Sequence, residues 1–191
     1  MRKSIQAVLL TAVASGALCA GAGPAGAATY LQTDLVSDLS GLRAEVTDPN
    51  LKNPWGLSFQ PGGPVWVSDQ GTQNATLYGV SSATVTKESL TVAVPPSGPG
   101  ALGPTGQVAN TNASAFEVSG TGKSAIFIFA NLNGSISAWN GSAGTTAVTE
   151  TTTAGAAYTG LATTGRWSAR VSWLAFAGKR EAIRRRRPRR C

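Results

Sequence analysis

Short runs of apolar and β-branched residues alternate with turn-forming residues along most of the chain. Runs of four to eight such residues that are bounded by Gly, Pro, Asn or Asp predict strands. No window after residue 28 has the 3.6-residue apolar period of an amphipathic helix. The pattern therefore predicts an all-β fold, with strands at residues 55–59, 65–68, 76–80, 89–94, 115–118, 125–130, 135–139 and 147–152.

One order of motifs occurs twice and then begins a third time. Pro-Trp-Gly-Leu at 54–57 and Pro-Thr-Gly at 104–106 are each followed by a strand, a glycine turn and a strand that ends in an aromatic residue, and Tyr-Thr-Gly-Leu at 158–161 starts again. Repeats of about 40–50 residues with four strands are typical of β-propeller blades. A β-sandwich with coincidental similarity is the alternative.

A propeller protects its sheet edges by closing a ring of about four to eight blades. Two blades and the start of a third do not close such a ring. The pattern therefore predicts an incomplete β-propeller over residues 29–165, with about two four-stranded blades and the beginning of another.

Several motifs of this region resemble those of a family of exported bacterial proteins of uncharacterised function, which are predicted to be NHL-like β-propellers. The Asp-Pro-Asn and Asn-Pro-Trp-Gly motifs within residues 47–57 are the most specific of them. Asp48-Pro49-Asn50 also predicts a turn at the entry to the first blade, because Pro fixes φ and Asn caps locally. The resemblance implies the propeller fold and brings no established activity or catalytic residues. The matching segments are residues 30–38, 47–57, 66–71, 76–78, 103–106, 127–139 and 158–161.

The first 28 residues have the layout of a secretory signal peptide. Arg2 and Lys3 precede an uncharged, mostly apolar stretch at 5–20, which small residues follow. The Ala-Gly-Ala pattern at 25–27 predicts cleavage after Ala27 or Ala28. The stretch is short and diluted by Ser, Thr and Gly, which argues against the alternative of an uncleaved membrane anchor. We expect an exported protein, periplasmic or extracellular, whose mature chain has no transmembrane span.

Charge is divided unevenly along the chain. Residues 1–165 carry six basic and eight acidic side chains, whereas residues 166–191 carry ten basic side chains and Glu181. The body is therefore mildly acidic, and we expect it to bind no nucleic acid. The basic tail at 166–191 is predicted to be out-of-frame or disordered. The alternatives are an ordered helix, and an arm that binds anionic surfaces through Arg184, Arg185, Arg186 and Arg187.

The residue types that the chain contains exclude several kinds of catalytic and metal site. The chain has no histidine, which excludes Ser-His-Asp triads, Cys-His pairs and histidine metal ligands. Its two cysteines, Cys19 and Cys191, leave the mature chain without an internal disulfide. We predict no cofactor. The alternative is Ca²⁺, for which the strand-end residues Asp69, Asn74, Asn131 and Asn133 would supply oxygen ligands. Asp and Asn are equally common in tight turns.

Three tryptophans are candidates for stacking on a sugar, although tryptophan within an alternating strand more often packs in a core. They are Trp55, Trp66 and Trp139. The sequence thus favours an exported propeller-type binding or structural scaffold, truncated and non-catalytic. Its expected partner is an extracellular or cell-envelope protein or polysaccharide. The alternatives are a divalent-metal-dependent propeller hydrolase or lactonase-like enzyme, and a basic-tailed anchor to anionic surfaces.

Overall fold

The computed structural model of the chain describes residues 32–82, 84–95 and 102–163, together with the backbone of 173–177. The predicted signal peptide at 1–28 with Ala27 and Ala28, and the arginines at 184–187, lie outside the described residues. Within the described part, every regular element is a strand except the 3₁₀ helix Gly141–Ala143. The predicted all-β class is confirmed.

The first elements lead into a four-stranded antiparallel sheet, here called sheet 1. Strand β1 (Val36–Ser37) pairs in parallel with β2 (Val46–Thr47). Sheet 1 then follows in chain order as β3, β4, β5 and β6. Its strands are β3 (Pro54–Phe59), β4 (Val65–Asp69), β5 (Asn74–Val80) and β6 (Val85–Ala93).

A second four-stranded antiparallel sheet, sheet 2, has the same order of first to fourth strand, with a small hairpin inserted after its first strand. The inserted hairpin accounts for the longer spacing between the sequence motifs of the second unit. The strands of sheet 2 are β7 (Pro104–Ala109), β10 (Phe127–Asn131), β11 (Ser135–Trp139) and β12 (Val148–Thr152), and the hairpin is β8 (Glu117–Val118) with β9 (Lys123–Ser124).

A third, two-stranded sheet pairs β13 (Tyr158–Thr163) with β14 (Trp173–Ala177) in antiparallel register. Strand β14 falls inside the segment predicted as a tail, so these five residues have strand and not helix backbone. None of the described sheets closes on itself. Nowhere in the described residues is there a helix with the length and apolar character that a membrane span requires.

The core between sheets 1 and 2 is aromatic. Trp66 on β4 stacks on Phe127 of β10, with ring centroids 4.1 Å apart, and its ring lies 4.8 Å from that of Trp139 on β11. A second core on the other face of sheet 2 contains Ile128, Ile136 and Tyr158. Alternate residues of β10 and β11 therefore enter different cores, as the two-residue period of a strand requires.

Glycines let the first strands of neighbouring sheets approach closely. A Cβ atom added to Gly56 on β3 would lie 2.9 Å from the backbone nitrogen of Gln107 and closer still to the carbonyl oxygen of Thr105. A Cβ atom added to Gly106 on β7 would lie 2.5 Å from the carbonyl carbon of Gly160 on β13. Side chains larger than hydrogen do not fit at either contact, so the two packings use glycine in the same way.

Most predicted strands are present with shifted ends, and 135–139 has the predicted bounds. The predicted strand at 115–118 shrinks to the two residues of β8. Strands β7 and β13 were expected only as the starts of repeat units, because their Pro, Gly and Gln residues are poor strand signals. Their strand conformation is set by pairing with β10 and β14.

Candidate functional site

Sheet 1 has one covered face and one face that is partly open. Gly56 and Ser58 on β3 face sheet 2, whereas Leu57 and Phe59, which pair with Val67 and Val65 of β4, point to the opposite side. A β-bulge between Pro54 and Leu57 interrupts the alternation before Trp55. Leu57 and Phe59 are 60% and 58% exposed, and Trp55 is 47% exposed. The neighbouring Leu57 and Phe59 on one face of a strand are more exposed apolar surface than a packed sheet ordinarily leaves.

The segment at 33–42 covers part of this face. Together with β3, β4 and β5 of sheet 1 it forms an open cavity of about 480 Å³. The walls are mostly apolar, so the cavity suits an apolar occupant. Its lining includes Leu35, Val36, Leu42, Leu51, Leu57, Val65, Val67, Tyr78 and Val80.

Asp48 connects the turn before β3 to the same face of sheet 1 through hydrogen bonds. Its Oδ1 accepts hydrogen bonds from Lys87 Nζ at 2.7 Å and from the backbone N–H of Asn50 at 3.0 Å. Its Oδ2 accepts one from the Tyr78 hydroxyl at 2.8 Å. Burial opposes ionisation of Asp48, but these hydrogen bonds and the charge of Lys87 outweigh it and hold the pKa below 3.8. Asp48 is therefore a carboxylate that joins two strands.

Asp69, at the end of β4, is also completely buried, but fewer hydrogen bonds offset the cost of burying its charge. Its Oδ2 accepts a hydrogen bond from Thr76 Oγ1 at 2.7 Å, while its Oδ1 has no hydrogen-bond partner. Burial raises the pKa of Asp69 to about 7, and the nearby Asp48 carboxylate adds to this against the hydrogen bonding of Thr76. Burial and the hydrogen bond to Asp48 likewise raise the pKa of Tyr78, which keeps its proton. At neutral pH, Asp69 is thus a buried group that can hold or release a proton.

Asn131 occupies the corresponding place in sheet 2. It ends the second strand of that sheet, as Asp69 does in sheet 1, and its Nδ2 donates to Ser137 Oγ on the next strand at 3.3 Å and to Ser135 Oγ at 3.0 Å. Its Oδ1 is buried without a partner, like Oδ1 of Asp69. Each sheet thus places one free side-chain oxygen at the end of its second strand.

The four proposed Ca²⁺ ligands are divided between the two sheets. Asn74 pairs with Asp69 across β4 and β5, whereas Asn131 ends β10 and Asn133 lies in the turn between β10 and β11. Oδ1 of Asn133 accepts hydrogen bonds from the backbone N–H and the hydroxyl of Ser135, at 3.1 and 2.8 Å. Among the described residues, no group of three or more carboxylate, thiol or imidazole side chains is placed to hold a metal ion.

The three tryptophans differ in position. Trp66 and Trp139 are buried in the core between the sheets, and only Trp55 presents its ring to solvent. Sequence reasoning recognised Asp48 as a turn residue but missed its contacts with Tyr78 and Lys87. No local pattern marks those contacts, because the partners lie 30 and 39 residues away.

Comparisons of the chain with protein-family models, with curated proteins and with solved structures found no match. The predicted relationship to exported NHL-like proteins therefore stays a prediction that rests on the quoted motifs.

Proposed function

We propose that the protein is an exported scaffold of β-propeller type, which acts by binding or by structural assembly and not by catalysis. Sheets 1 and 2 are its first two blades, and β13 with β14 begins the next. The partly open apolar face of sheet 1 is the surface through which it meets an extracellular or cell-envelope partner.

The observation that carries this proposal is the glycine contact between first strands. Gly56 lies against β7, and Gly106 lies against β13. A propeller repeats one sheet-to-sheet packing around its ring, with the first strand of each blade nearest the axis. Such a repeat requires that successive packings use the same strand and the same residue type, as these two contacts do.

Substitution of the contact glycines tests the architecture. Gly56→Ala and Gly106→Ala should each lower the free energy of unfolding by about 1–3 kcal/mol, because the added methyl group overlaps the neighbouring backbone. Gly141→Ala is the matched control, since nothing lies within 4 Å of a Cβ atom there. It should be neutral or slightly stabilising. Urea denaturation measures all three, and equal effects at the three positions would reject the propeller packing.

Fractionation of cells that express the whole chain tests export. We expect the protein in the periplasm or medium, with a mass that corresponds to an N-terminus at residue 28 or 29. An intact N-terminus on protein retained in the cytoplasm would contradict the proposal.

A further inference from the structure

Two surfaces of the chain correspond to the two sides of the contact that neighbouring sheets make within it. The first, here called the incoming face, is the side of β3 that carries the exposed Leu57 and Phe59. The second, the outgoing face, is the side of β13 that carries Gly160 and the exposed Ala162. Gly160 precedes Leu161 in β13 as Gly56 precedes Leu57 in β3.

The packing inside the chain shows what covers each kind of face. The outgoing side of β3, at Gly56, is covered by the first strand of the next sheet, where Thr105 and Gln107 make the contact. In that sheet Phe127 and Phe129, on the side that meets sheet 1, are buried. Their counterparts in sheet 1, Val65 and Val67, are only half-buried. The incoming face therefore lacks the neighbour that the same side of sheet 2 has.

We propose that the incoming face of one copy packs on the outgoing face of a second copy. In this contact the 55–57 backbone of one molecule crosses Gly160 of the other, as residues 105–107 cross Gly56 within the chain. The inference rests on the propeller arrangement proposed above, and it names a second copy as the protein partner of the apolar face. Because two different surfaces meet, the assembly is head-to-tail and grows into a ring or a filament.

Three variants of the purified chain test this inference by sedimentation velocity and light scattering. Leu57→Lys places a charge on the incoming face, and Ala162→Lys places one on the outgoing face; both positions are exposed, so the fold should tolerate the change. Leu39→Lys is the matched control, because Leu39 is 58% exposed and lies outside the cavity lining. Far-ultraviolet circular dichroism should show the same strand content in all four proteins.

We expect the wild type and Leu39→Lys to form multiples of the monomer mass as concentration rises, and each of the other two variants to remain monomeric. A mixture of Leu57→Lys and Ala162→Lys should form a 1:1 dimer of twice the monomer mass. Each variant keeps the surface that the other has lost, and the dimer has no further compatible pair of faces with which to extend.

Three results would overturn the inference. The first is a wild type that stays monomeric. The second is self-association of Ala162→Lys alone, which would mean that two incoming faces contact each other. The third is a mixture of Leu57→Lys and Ala162→Lys that stays monomeric. A wild type that is monomeric but sediments with cell-envelope polysaccharide through the incoming face would assign that face to a sugar instead. None of these results bears on the glycine substitutions, so a failure of self-association is separable from a failure of the propeller proposal.

Discussion

Asp69→Asn should convert a pH-sensitive protein into one that is less so. Folded Asp69 keeps its proton up to a pKa of about 7, whereas the unfolded side chain loses it near 3.8. Between these two pH values the folded chain binds more protons, so the free energy of unfolding falls as pH rises. The full penalty applies above pH 7 and disappears below about pH 4.

The difference between about 7 and 3.8 corresponds to about 4 kcal/mol at neutral to alkaline pH. Asparagine has the same shape without the charge, and sheet 2 already carries Asn131 at the corresponding position. We therefore expect Asp69→Asn to gain up to about 4 kcal/mol relative to the wild type between pH 4 and pH 8. The pKa of Asp48 is lowered, so Asp48 makes stability vary with pH only below about pH 3.8, and its contribution is constant in this range.

Urea denaturation at several pH values, followed by the fluorescence of the buried Trp66 and Trp139, measures this gain. Asn131→Asp is the reciprocal variant, and it should acquire a loss of stability toward high pH. A difference between Asp69→Asn and the wild type that stays constant from pH 4 to pH 8 would refute the reasoning.

Three further predictions concern the packing of sheet 1. Trp66→Ala should cost about 3–5 kcal/mol of unfolding free energy because it empties the aromatic core, whereas Trp55→Ala should cost much less; similar losses in a thermal melt would contradict the packing. Above pH 3.8 the ionised Asp48 stabilises the wild type, and this stability is lost as pH falls through the lowered pKa of Asp48. Asp48→Asn should remove it, so the unfolding free energies of the variant and the wild type should converge in acid and not in base. Gln107→Ala should cost about 1–3 kcal/mol, since its side chain bonds Ser58, Ser68 and the Trp66 carbonyl across the sheets. A loss no larger than that of Gln60→Ala, at the margin of the same contact, would count against this bridge.

The sequence by itself was sufficient for the fold class and for the best-formed strands. Strands β4, β5, β10 and β11 are rich in β-branched and aromatic residues and are bounded by Gly, Asn and Asp. Such signals are local, because a strand's preference for these side chains and a turn's preference for glycine need no distant partner. The same locality made Asp48 recognisable as a turn residue.

Tertiary structure decided what each of these residues does. Trp55, Trp66 and Trp139 all lie in strands, yet two fill a core and one is exposed, because only the stacking of sheets determines which side of a strand is covered. Strand β7 follows from the sheets on either side of it and not from its own composition. Asp48 and Asp69 have the same side chain and are equally buried, but they are charged differently at neutral pH. The reason is that Lys87 and Tyr78, distant in sequence, reach Asp48, whereas one oxygen of Asp69 has no hydrogen-bond partner.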